Sequence, residues 1–185
     1  MAADDAVSIR DATAADAADV RAIYARSVET ACASYETVAP DVDEMRRRMT
    51  ALIDAGYPYL IAEVGGAFAG YACASGYRPR AGYRWTVEDS VYVAPGFAGR
   101  GIGRRLLAAL IARCEAQGFR QMIAVIGDAE NLASIRLHAS LGFAHVATFR
   151  GIGWKAVGGA PGRWLDSVQM QRRLGDGDTR PPDGG

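Results

Sequence analysis

"SVYVAPGFAGRGIGRRLLAALIARC" (Ser90–Cys114) decides how this chain is read. An apolar, strand-like run enters a turn carrying Gly99, Gly101 and Gly103, and a helical pattern starts immediately behind it. A glycine inside a helix costs about 1 kcal/mol against alanine, so three of them at a helix start need a reason. Arg100, Arg104 and Arg105 stand among them. The first turn of a helix leaves N–H groups unpaired, and the helix dipole adds partial positive charge. Glycines let backbone amides close on a phosphate without interference from Cβ atoms. The segment Gly99, Arg100, Gly101, Ile102, Gly103, Arg104 is therefore expected to hold a pyrophosphate; the simpler alternative is a turn that only reverses the chain. Two other phosphate motifs do not fit. A P-loop needs Lys and Ser/Thr after its last glycine, and a dinucleotide fold needs GxGxxG in an early βαβ unit.

Working outward, "WTVEDSVYV" (85–93) is the clearest strand. Behind the turn, Ile102, Leu106, Leu107, Leu110, Ile111 and Cys114 share one helical face, Gly118 ends that helix, and "QMIAVI" (121–126) reads as a buried strand. Upstream, the pattern predicts a strand over 7–13, helices over 14–31 and 41–55, and a hairpin over 59–77. Thr13 and Asp16 resemble a capping box. Downstream, a helix over 131–141 is expected to stop at Gly142. Two last strands over 143–151 and 164–174 flank the glycine-rich "GIGWKAVGGAPG". This order predicts one α/β domain over residues 1–174 with a mixed sheet. The Pro/Gly-rich tail 175–185 is expected to be disordered.

The 185 residues hold 21 Lys plus Arg against 21 Asp plus Glu, a balance that gives no case for nucleic acid or a membrane surface as partner. Lys155 is the only lysine. Cys32, Cys73 and Cys114 form no CxxC pair, and His138 and His145 are the only histidines, so neither a disulfide framework nor a metal site is expected. The acidic start lacks a signal-peptide core and no apolar run is long enough to span a membrane, which predicts a soluble cytoplasmic protein.

The glycine turn, with Gly101-Ile102-Gly103 in its last positions, resembles the acetyl-CoA motif of the GCN5-related N-acetyltransferase (GNAT) superfamily. Asn131, Ser134 and "LHASLGF" (137–143) are similar to that family's second cofactor segment. "TVEDSVYV" (86–93), "EAQGF" (115–119), "AVIG" (124–127), "SIRLHASLGF" (134–143) and "GRWLD" (162–166) resemble the phosphinothricin and methionine sulfoximine acetyltransferase group within it. The resemblance implies a GNAT fold: a central mixed, mostly antiparallel twisted sheet of about seven strands with about four flanking helices. It implies acetyl-CoA as cosubstrate, a small-molecule amine as acceptor, and a homodimer. Val91, Tyr92 and Val93 would offer backbone groups to the pantetheine arm, the glycine turn would bind pyrophosphate, and Asn131 would bind the cofactor. Glu88 would be the general base. Arg78 and the Ala81, Gly82, Tyr83 loop would face the substrate, with Tyr35 on the opposite wall. The sequence departs from the resemblance where Phe97-Ala98 replace a common Gln-Arg pair, and in an insertion over 156–161.

Acetyl transfer to an amine needs a neutral amine, a donor for the thioester oxygen as it gains charge, and a proton for the leaving thiolate. Glu88 suits the first task, with Asp89, on the other face of a regular strand, as the reserve. Backbone N–H groups over 90–93 suit the second. His138 stands where many relatives carry a tyrosine thought to protonate the thiolate, and a histidine near its ordinary pKa of about 6.5 can donate there; a polar residue on a helix face is the alternative. Arg78 and Arg80 in "YRPRAGYR" suit a substrate carboxylate or phosphinate. The chemistry implied is direct attack on acetyl-CoA by the α-amine of an amino acid or analogue of the phosphinothricin or methionine sulfoximine kind. Acetylation of a protein N-terminus or polyamine, or non-catalytic acyl-CoA binding, are the alternatives, and the basic loop argues against a polyamine.

Overall fold

A computed structural model describes residues 6–182. Strands β1 (Val7–Asp11), β2 (Tyr59–Val64), β3 (Ala67–Gly76), β4 (Thr86–Val93), β5 (Gln121–Gly127), β6 (Ala144–Lys155) and β7 (Arg163–Arg173) form one sheet. Helices α1 (Ala17–Thr30), α2 (Val42–Asp54), α3 (Ile102–Ala116) and α4 (Leu132–Ser140) complete the fold. The strand order is β1-β2-β3-β4-β5-β7-β6. Every neighbouring pair is antiparallel except β4 with β5. This is the α/β architecture that the sequence predicts, with seven strands and four helices.

The helices form where the apolar period allows and stop where it is punctuated. Asp41 caps α2 by accepting the Glu44 N–H at 2.7 Å. In the turn ahead of α1 the Thr13 N–H donates to the Asp16 carboxylate at 2.7 Å, while Arg10 holds the same carboxylate by a forked pair. That guanidinium pulls the Asp16 pKa down to about 2. The α3 stripe of Ile102, Leu106, Leu107, Leu110 and Cys114 is buried on one side of the sheet against Ala72, Met122 and Met170. On the other side Val20 and Ile23 of α1 and Met45 and Met49 of α2 cover Tyr59, Ile61 and Tyr71. With both faces covered, burial of each large apolar side chain contributes about 1.5–3 kcal/mol, and the two layers hold β4 rigid in between.

The β4–β5 pairing positions the site. Its register runs only from Thr86↔Gln121 to Glu88↔Ile123. Both strands continue, β4 to Val93 and β5 to Gly127, each held by its outer neighbour. The central sheet therefore splits beyond Glu88.

One expectation is corrected. The glycine-rich connection is shorter than predicted, because β6 runs on past Gly151 to Lys155 and pairs with β7 at Gly153↔Leu165, Trp154↔Trp164 and Lys155↔Arg163. A register shift between Phe149 and Gly153 absorbs the extra residues, as a bulge does. Turns follow β7 over residues 175–178, with Gly177 N–H donating to Leu174 O at 2.9 Å and Asp178 paired with Arg173 at 2.9 Å; residues 183–185 of the tail lie outside the described residues. Among the described residues no helix is long and apolar enough to cross a membrane, and no group of three His, Cys, Asp or Glu side chains is placed to hold a metal.

Candidate active site

The split in the sheet opens a cavity of about 750 Å³ between β4 and β5. Val91, Tyr92 and Val93 form one side, Ala124 to Gly127 the other, and Gly99, Gly101, Ile102, Gly103 and Arg104 close one end. Ala94 donates its N–H to Ala69 O on the β3 side, so by alternation Val93 and Val91 aim theirs into the gap. Gly99 and Gly101 have φ of +77° and +76°, left-handed backbone that side chains rarely adopt. A Cβ on either would meet nothing within 4 Å, so the turn presents bare amides to open space at the N-terminus of α3. Arg104 lines the cavity and Arg100 does not; the Arg100 guanidinium lies 5.4 Å from the centre of the Phe97 ring. Phe97 is thereby explained: it packs against both cores and carries Arg100 on its face. Asn131 lines the cavity and also caps α4, accepting the Ser134 N–H at 3.2 Å.

β3 and β4 pair without a register shift from Gly70↔Val93 to Gly76↔Val87, so Glu88 and Asp89 project to opposite faces. Asp89 points toward α4 and meets His138, Oδ2 to Nε2 at 3.0 Å, both side chains almost fully buried on the cavity wall. His138 Nδ1 lies 2.7 Å from Ser134 O, which can only accept, so Nδ1 carries a proton. A second proton must then sit between Nε2 and Asp89, since a bare lone pair facing a carboxylate would repel it. Burial works against the imidazolium, but the hydrogen bond and charge of Asp89 outweigh it and raise the His138 pKa. Asp89 Oδ1 is buried without a hydrogen-bond partner among the described residues.

Glu88 lies on the opposite face, in a second cavity of about 470 Å³ with Tyr35, Arg78, Ile123, Phe149 and Gln169. Val125 lines both cavities, so they adjoin at the split. Burial, then the Asp89 charge, raises the Glu88 pKa, against the lowering effect of Arg78. Tyr35 donates its hydroxyl to Asp166 O at 2.9 Å. Ala81 and Gly82 line neither cavity, and Tyr83 lines a separate surface depression with Arg78, Pro79 and Arg80. Trp85, Trp154 and Trp164 line none of them, and Trp154 and Trp164 pack edge-on at 5.3 Å. Sequence reasoning missed the Asp89–His138 pair. The strand alternation that sends Asp89 toward the helical layer was the signal that could have found it. It also missed the apolar walls from Val146, Phe149 and Ile152, which follow from the pairing of β6.

A family model described as the acetyltransferase (GNAT) family matches residues 20–143. The chain is 51% identical over 164 residues to a phosphinothricin N-acetyltransferase of Alcaligenes faecalis, covering 89% of this chain and 81% of that one. It is 40% identical over 168 residues to an L-methionine sulfoximine/L-methionine sulfone acetyltransferase of Salmonella typhimurium, covering 91% and 95%. Among solved structures it is similar to a GNAT superfamily phosphinothricin acetyltransferase of Sinorhizobium meliloti in complex with AcCoA, with a TM-score of 0.90, 44% identity and coverage of 97% and 94%.

Proposed function

The chain belongs to the GNAT acetyltransferase family, and from that premise we propose that it transfers the acetyl group of acetyl-CoA to the α-amine of a small amino acid or analogue of the phosphinothricin or methionine sulfoximine kind. The observation that carries this is the meeting of two cavities at the split between β4 and β5, one with an amide-lined turn and one with a buried carboxylate. The first suits acetyl-CoA: the Gly99–Gly103 amides and Arg104 hold the pyrophosphate, and the free edge of Val91–Val93 pairs with the pantetheine amides. Asn131 contributes at the start of α4.

The second cavity suits the amine. Glu88 takes the ammonium proton and passes it to solvent, the freed nitrogen attacks the thioester carbon and gives its second proton to the same carboxylate, and N–H groups of β4 receive the developing oxyanion. The C–S bond breaks as the tetrahedral centre collapses, and the thiolate takes a proton from the Asp89–His138 pair, one N–H of which leaves its present partner to reach it. Arg78 meets the substrate carboxylate or phosphinate, with Tyr35 on the far wall. The test is acetyl-CoA-dependent thiol release with mass spectrometry over amino acids, their phosphinate and sulfoximine analogues, polyamines and a peptide N-terminus. Thiol release without an acetylated amino acid or analogue overturns the reading.

Arg104→Ala is expected to raise the acetyl-CoA Kd about tenfold while leaving the amine KM within about twofold, since one charge-assisted contact to the pyrophosphate is lost. Calorimetry checks it.

The acting unit on this reading is a homodimer in the cytoplasm. Support for the dimer is an apolar face on β6 and β7, where Val146, Phe149, Ile152, Trp154 and Trp164 are each more than half exposed. Support for the location is three free cysteines and no disulfide among the described residues. Trp164→Glu is expected to convert the dimer to a monomer in sedimentation equilibrium. A monomeric wild type sinks the proposal.

A further inference from the structure

Lys155, at the end of β6, is 2% exposed. Among the described residues no carboxylate lies within ion-pair distance of it. Its ammonium donates instead to two main-chain carbonyls, Ala31 O at 2.9 Å and Ser34 O at 2.6 Å. Ala31 is the cap residue at the C-terminus of α1, where the helix dipole is negative, so the charge has a partial counterpart there. Burial still pushes the lysine pKa down, which means that holding this ammonium has a cost. An unbranched apolar side chain would fill the same space without that cost. What the ammonium adds is the fixing of two particular carbonyls.

Those carbonyls belong to the segment 31–35, which walls both cavities. Ala31 and Ala33 line the larger cavity and Tyr35 lines the one that holds Glu88. The segment is pressed onto the sheet. A Cβ on Gly127 would lie 2.5 Å from Cys32 O, and one on Gly153 would lie 2.2 Å from the Tyr35 ring. The Tyr35 hydroxyl is anchored on β7 through Asp166 O. The hydroxyls of Ser34 and Tyr24 are 2.9 Å apart, which ties the segment back to α1.

We propose that Lys155 is a positioning residue for the junction of the two substrate sites: by holding the carbonyls of Ala31 and Ser34 it sets the distance at which the Tyr35 wall faces Glu88 and the Ala31–Ala33 wall faces acetyl-CoA. The proposal rests on the two-cavity reading of the function. A misplacement of about 1 Å in such walls is enough to weaken binding and alignment severely.

Lys155→Met tests it. The expected result is a rise of about tenfold in amine KM and of about threefold or more in acetyl-CoA Kd, with kcat within about threefold. In a Tyr35→Ala background the same change is expected to raise amine KM by less than about twofold, because the wall it positions is gone. A lower melting temperature with unchanged KM and Kd would show a structural role only and overturn the proposal. An equal rise in amine KM in both backgrounds overturns it too. Should Lys155→Met fail to fold, Lys155→Gln, whose amide is one bond shorter and cannot hold both carbonyls as the ammonium does, is expected to give smaller rises in the same two constants, and no rise in either overturns the proposal. Acetyl-CoA Kd is measured by calorimetry without an amine, so a wild type that turns over no amino acid defeats the functional reading and leaves Lys155 testable.

Discussion

Glu88→Gln is expected to lower kcat/KM about 100- to 1000-fold at neutral pH, within the range that a positioned general base contributes. The amide keeps the size of the side chain and removes its ability to take a proton. The pH profile carries the stronger test. A base works when deprotonated, and burial together with the Asp89 charge raises the Glu88 pKa. Wild-type activity should therefore fall as pH drops through a pKa raised from that of a free glutamate, and the variant should lack that limb. At alkaline pH more of the amine is already neutral, so the gap between the two enzymes should narrow. A gap that stays constant with pH removes Glu88 as the base. Stability moves the opposite way. A carboxylate whose pKa is raised by folding binds protons more tightly in the native state, so it lowers stability as pH rises through that range. Glu88→Gln should consequently melt no lower than the wild type at neutral pH, which separates its loss of activity from any loss of fold.

Asp89→Ala should have the largest effect on stability, about 3–5 kcal/mol, because it leaves the buried His138 without its charge partner. In a chain of this size each kcal/mol shifts the melting temperature by about 2–4 °C, so a fall of roughly 10 °C is expected. The milder Asp89→Asn keeps the shape and removes the charge. Its His138 resonance should titrate lower than in the wild type, since the Asp89 bond and charge are what overcome burial. The stability contribution of the raised His138 pKa is fully present below the unfolded value of about 6.5 and is lost as pH rises through the folded value. The difference in melting temperature between wild type and Asp89→Asn should therefore shrink above neutral pH. A His138 pKa unchanged by the substitution would mean that Asp89 is not its charge partner in solution.

The two experiments probe adjacent residues of one strand and are expected to differ in their main readout, activity for Glu88 and stability for Asp89. The reason is visible in the register: β3 and β4 pair without a bulge, so neighbours in sequence face different cavities.

Much of the fold was legible because it is local. The α3 stripe follows from a period of 3.6 residues, the turn before it from glycines that adopt left-handed backbone, and the helix stops at Gly118 and Gly142 from the same freedom, with φ of +84° and +86°. The placement of Glu88 on the strand leading into that turn, and of His138 on the helix after the next strand, came from the same local patterns. Ile152 to Lys155 were misread for a related reason. Two glycines in five residues favour a loop on local grounds, while their pairing with Leu165, Trp164 and Arg163 is decided across the sheet.

By itself, then, the sequence determined the elements, their order, the glycine turn at the head of α3 and the side-chain types that could do the chemistry. These depend on dihedral preference and periodicity, which neighbouring residues set. Tertiary structure alone decided where β4 and β5 part, that Asp89 meets His138 across 49 positions, that Phe97 carries Arg100, and that Lys155 holds Ser34 O across 121. Such contacts depend on strand register and on which buried polar groups find partners. That is settled only when the whole core closes and water is excluded from the groups that must pair.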